Sequence, residues 1–100
     1  MTNDLKSKIL NDAINKYGED CQHDMVSEEC AELIQAVNKF MRADKSADKL
    51  RARNRIREEV ADVLIMIEQL KIMHSFTDKE IEQEIEYKLL RLRGRMRDSN

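Results

Sequence analysis

Glu28-Glu29-Cys30-Ala31-Glu32-Leu33-Ile34 is echoed thirty residues later by Glu58-Glu59-Val60-Ala61-Asp62-Val63-Leu64. The apolar positions echo as well. Val26, Cys30, Leu33, Ile34, Val37 and Phe40 correspond to Ile56, Val60, Val63, Leu64, Ile67 and Leu70. At about 100° per residue, each set falls on one face of a helix. Two helices therefore carry the same apolar face and the same acidic positions. The expected arrangement is two antiparallel neighbours related by approximate two-fold symmetry. Packing their stripes together would bring the acids of both into one small volume.

Outward from this pair, the chain reads as helical throughout. Pro is absent, Gly occurs only at positions 18 and 94, and Glu, Lys, Leu, Ile and Ala are abundant. A first helix is predicted over Asn3 to Tyr17, with Leu5, Ile9, Leu10, Ile14 and Tyr17 to one side. Gly18 is its expected stop, because Gly accepts the left-handed conformation after a helix end. The echoed helices are predicted over Asp20 to Arg42 and Asp48 to His74, with the polar stretch from Ala43 to Lys49 as the connection. Thr77-Asp78-Lys79-Glu80 fits a capping box. A fourth helix follows to Met96, with Ile81, Ile85, Leu89, Leu92 and Met96 as its stripe, and the tail from Arg97 to Asn100 is expected to fray. The fold class is all-α, a four-helix bundle in one domain over residues 1–100.

Apolar residues are 41% of the chain, enough for a core, but charged residues are 38%, so much of each helix must face water. Only Tyr17, Phe40, Phe76 and Tyr87 are aromatic. A short chain with a small aliphatic core is marginally stable alone, which points to a homodimer or homotetramer. A net charge of −2 argues neither way on nucleic acid as a bulk partner, and neither a nucleic acid nor a membrane partner is expected. No apolar run approaches the roughly 20 residues that span a bilayer. The opening Met1-Thr-Asn-Asp-Leu-Lys-Ser-Lys8 lacks the apolar segment of a signal peptide. A cytoplasmic location is expected, with Cys21 and Cys30 as reduced thiols. Cys30, on the apolar stripe, is expected in the core.

The acids carry the chemistry. On a helical wheel Glu29 lies about 70° from the centre of its apolar stripe and Glu32 about 130° away; Glu59 and Asp62 take the same places on the later helix. Residues three apart are neighbours on a helix surface. Each helix thus presents two carboxylates on one edge, at the border between core and solvent. Glu-rich helices are common, and such pairs often only solvate a face. Here the pairs recur in register, and the positions four residues on, or beside them, are Leu33, Ala36, Val63 and Met66 rather than Lys or Arg. Four converging carboxylates repel unless cations or protons accompany them. An all-oxygen donor set favours Mg²⁺ or Mn²⁺ over Zn²⁺. The chemistry this suits is phosphoryl transfer to water. His23 and His74 do not follow a Glu at the spacing of a di-iron bundle and are not expected as ligands.

Glu28-Glu29-x-x-Glu32 followed by Glu59-x-x-Asp62 resembles the EExxE…ExxD signature of the MazG-like all-α nucleoside triphosphate pyrophosphohydrolases, relatives of the dimeric dUTPases and dCTP pyrophosphatases. The likeness covers most of the chain, including Tyr17-Gly18, Gln22 and the closing Lys88-x-x-Arg91. The resemblance implies Glu29, Glu32, Glu59 and Asp62 as metal ligands and catalytic residues. It implies hydrolysis of a nucleoside triphosphate, NTP or dNTP, between the α- and β-phosphates. A metal-activated water would attack the α-phosphorus. It also places Lys88 and Arg91 at the triphosphate. Where the family carries further polar residues after this Lys, Leu89, Leu90 and Leu92 surround Arg91 here. Lys39 lies near the Glu32 edge, within reach of phosphates. Gln22 shares the edge of Glu29 and is either a sugar or base contact or a plain surface residue. Glu28 points away from the apolar centre and is expected in solvent. The rival reading is a non-catalytic helical interaction module, or a family member that binds nucleotides without cleaving them. The interaction module predicts Lys or Arg partners for the motif acids.

Overall fold

A computed structural model describes residues 1–98, which form α1 (Asn3–Tyr17), α2 (Glu19–Arg42), α3 (Ser46–Met73) and α4 (Asp78–Asp98). No strand occurs among the described residues. No helix among them is long and apolar enough to cross a membrane.

Local chemistry sets each boundary. The Thr2 hydroxyl accepts from the Leu5 N–H at 3.1 Å and starts α1. Gly18 has φ +90° and ψ 155°, so its φ is positive, but it is extended rather than left-handed helical. Its N–H closes α1 on the Ile14 carbonyl at 2.8 Å, while its own carbonyl accepts from Gln22 at 3.1 Å and opens α2. One residue thus ends one helix and begins the next.

The connection between α2 and α3 is only residues 43–45, shorter than the predicted stretch, because Asp48 in the first turn favours an earlier helix start. Lys49 donates to the Phe40 carbonyl at 2.8 Å and lies 4.4 Å from the centre of its ring, fastening the hairpin. After α3, the Phe76 N–H reaches the Lys71 carbonyl and the Ser75 N–H reaches Ile72, with Ser75 left-handed at φ 57°. This is a Schellman motif with Ser in the position Gly usually fills. Thr77 and Glu80 form the predicted capping box, each side chain meeting the other's backbone N–H at 3.1 Å. α4 continues past Met96. Arg97 and Asp98 are helical rather than frayed, and a basic last turn suits the helix dipole. Ser99 and Asn100 lie outside the described residues.

α2 and α3 form an antiparallel pair, α1 leans on both, and α4 packs against none of the other three. The buried apolar residues are few: Leu10, Ile14, Ala36 and Met66. Only half of each predicted stripe turns toward the partner helix: Val26, Leu33 and Phe40 on α2 and Ile56, Val63 and Leu70 on α3 are half-buried. Ile34, Val37, Val60, Leu64 and Ile67 are all exposed, and so is Cys30. The seam joins the half-buried residues to the neighbouring edge, whose Gln22, Ala36, Glu59, Met66 and Gln69 are its most buried members. Ala36 at the seam lets the two backbones approach, and the outer half of each stripe, Ile34 and Val37 on α2 and Val60, Leu64 and Ile67 on α3, is left facing outward.

Candidate metal centre

The seam fixes its own register. The Gln22 amide donates to the Gln69 side-chain oxygen at 2.6 Å, and both residues are about 95% buried, at 5% and 4% exposure. In an antiparallel pair this register sets Glu29 opposite Asp62 and Glu32 opposite Glu59. The two cross-pairs are equivalents under the internal echo. One carboxylate oxygen from each of Glu29, Glu32, Glu59 and Asp62 lies within 4.8 Å of all the others. The four acids named by the sequence are therefore gathered in one place. They converge because the acidic edges, together with the adjoining half of each apolar stripe, face each other.

Burial is uneven across the group. Glu59 is 1% exposed, Glu29 and Asp62 are half-buried, and Glu32 is open to solvent. The Oε2 atoms of Glu59 and Glu29 are buried without a hydrogen-bond partner. Burial, then the charges of Glu32, Asp62 and Glu59, raises the pKa of Glu29. Burial also raises that of Glu59, with Glu32 and Asp62 adding to the rise and Arg55 opposing it. Each oxygen without a protein donor calls for a proton, a bound water or a cation. The donor set is oxygen alone, which fits a hard divalent ion in the gap between α2 and α3.

Arg55 is the residue that the sequence reading missed. Its Nη2 donates to Glu59 Oε1 at 2.7 Å, while Nη1 lies 3.7 Å from Glu58 Oε2. The acids lack cations four residues on, but Arg55 stands four residues before Glu59, and that spacing was the available signal. Gln69 gave no signal, because its counterpart under the echo is Lys39.

The other candidates fall in different surroundings. Gln22 is committed to Gln69 inside the seam and is not a surface residue. Glu28 and Lys39 are exposed on α2. Lys88 and Arg91 line a shallow groove on α4 with Arg95, and the Arg91 guanidinium lies 5.8 Å from the centre of the Tyr87 ring. Because α4 packs on neither α2 nor α3, no packing within one chain holds these cations beside the four acids. The histidines bind each other, with His23 Nε2 and His74 Nε2 2.8 Å apart. The Glu19 carbonyl accepts from His23 Nδ1 at 2.7 Å, so with a neutral His23 ring the His74 Nε2–H donates across the pair.

No protein-family model, curated protein or solved structure matches the chain.

Proposed function

We propose that the chain is a Mg²⁺-dependent nucleoside triphosphate pyrophosphohydrolase of MazG-like type, with Mn²⁺ as an alternative ion. The observation that carries the reading is the buried, unpartnered Oε2 of Glu59 beside three more carboxylates. A surface cluster of acids would keep its oxygens in water, whereas this one directs oxygens without donors into a shared gap.

In this reading Glu29, Glu32, Glu59 and Asp62 hold the ion and leave it open to phosphate oxygens and water. Bound Mg²⁺ supplies charge against the phosphates and lowers the pKa of its water. The water oxygen bonds to the α-phosphorus as the bond to the β-phosphate's bridging oxygen breaks. The products are the nucleoside monophosphate and pyrophosphate. Arg55 opposes the rise in the Glu59 pKa and, by holding Oε1, fixes which of its oxygens faces the gap. Lys39 sits on the same helix as Glu29 and Glu32, further along, and is free to meet phosphate. Lys88 and Arg91 reach the triphosphate only from another copy of the chain, so the reading includes a homodimer or homotetramer.

A second reading has an observation in its favour. The exposed apolar faces and the Arg55–Glu59 ion pair are what a non-catalytic interaction module would show. A panel of NTPs and dNTPs with Mg²⁺, scored for pyrophosphate and orthophosphate, separates the two. Pyrophosphate and a monophosphate in equal amounts are expected. Orthophosphate as the primary product, or no turnover of any nucleotide, would remove the proposed reaction.

A further inference from the structure

α4 is a 21-residue helix tied to the rest of its chain at its start, where Asp78 pairs with Lys71, and beyond that first turn it packs on none of the other helices. Its stripe of Ile85, Leu89, Leu92 and Met96 stands in solvent, each residue about half exposed. Positions 85, 89, 92 and 96 alternate by four and three, the spacing of a two-helix seam.

The charges beside this seam are segregated. Glu80, Glu82, Glu84 and Glu86 fill the first half, while Arg91, Arg93, Arg95 and Arg97 fill the second. At about 100° per residue, Glu82, Glu86, Arg93 and Arg97 all fall on one flank of the stripe. Glu82 and Glu86 are like charges one turn apart, and so are Arg93 and Arg97. Such i,i+4 pairs weaken an isolated helix. The helix dipole favours acids at the start and bases at the end, but it acts only within the first and last turns. It therefore accounts for Asp78, Glu80, Arg95 and Arg97. It does not account for Glu82, Glu84, Glu86, Arg91 or Arg93.

We propose that α4 pairs with α4 of a second copy of this chain, antiparallel, about a two-fold axis near the middle of the helix. That pairing covers the stripe and sets Glu82 and Glu86 of each copy against Arg97 and Arg93 of the other. Parallel pairing would set acid against acid and base against base, so the charge order selects the antiparallel hand. A two-fold contact of this kind is self-complementary and closes at two copies. The inference rests on the self-association part of the proposed function and not on its metal chemistry.

Sedimentation of the full chain without metal or nucleotide tests it. The expected result is an associated wild type and a mass halved by Arg93→Glu with Arg97→Glu. Adding Glu82→Arg and Glu86→Arg to the same chain restores the wild-type mass, with circular dichroism confirming that every variant is helical. In a background of Cys21→Ser and Cys30→Ser, chains bearing Glu82→Cys form disulfides with chains bearing Arg97→Cys. A monomeric wild type defeats both this pairing and the self-association it rests on. An associated wild type whose mass ignores the charge reversals defeats this pairing alone. Disulfides of Arg97→Cys with itself would show the parallel hand and overturn the proposal.

Discussion

Glu59 concentrates the conflict on which the site depends. A carboxylate with 1% exposure and one oxygen without a donor opposes folding in its ionised form. Arg55 relieves the other oxygen from a position whose side chain is 55% exposed, so the pair is well screened. Burial, and then neighbouring acids, raises the folded-state pKa of both Glu29 and Glu59 above the unfolded value. Between those two values the folded chain binds more protons than the unfolded one. The stability of metal-free protein therefore falls as pH rises from the ordinary Glu pKa of about 4.3 through the raised values. Asp78 works the other way, since its hydrogen bond with Lys71 lowers its pKa, but its stability is lost only below the ordinary carboxylate range. Urea midpoints measured across mildly acidic pH with a chelator present check this. A midpoint that falls with rising pH is expected, and saturating Mg²⁺ should flatten the slope. A midpoint that rises with pH in metal-free protein would mean the carboxylates are not in conflict.

Among the elements, α2 and α3 are held by each other, whereas α4 depends on its own ends. Its capping box is the clearest local case. Thr77→Ala removes the hydroxyl that receives the Glu80 N–H and is expected to cost about 1 kcal/mol of helix stability. Faster amide exchange in the first turn of α4, with α2 and α3 unchanged, is the expected result. This box was legible from Thr77 and Glu80 alone because both partners lie within one turn. The four acids were legible for a related reason, since their repeat is a fact of the chain. Which face α2 and α3 would bury was not legible. A wheel gives the apolar side of a helix but not what covers it, and here the seam takes one half of each stripe and leaves Ile34, Val37, Leu64 and Ile67 of the other half outside. The Gln22–Gln69 bond was hidden too, because a buried amide pair is polar in sequence and satisfied only in space.

Taken whole, the chain is too open to account for its own stability. Its radius of gyration is 17.1 Å, against about 13 Å for a compact 100-residue domain. The excess comes with an α4 that leaves the body and apolar faces that stay in solvent. Exposed apolar surface on this scale marks contact sites, and copies of the same chain covering these faces would supply the core a single chain lacks. The carboxylate gap, by contrast, is complete within one chain, formed between α2 and α3. Binding of Mn²⁺ alone therefore tests the account most directly, with no dependence on substrate or assembly. Titration of the wild type, followed by electron paramagnetic resonance of free Mn²⁺, should show saturable binding. Glu59→Gln should keep the helical fold and weaken that binding by more than about tenfold. Equal binding by both proteins, or none by either, would contradict the claim that the seam acids hold a divalent ion.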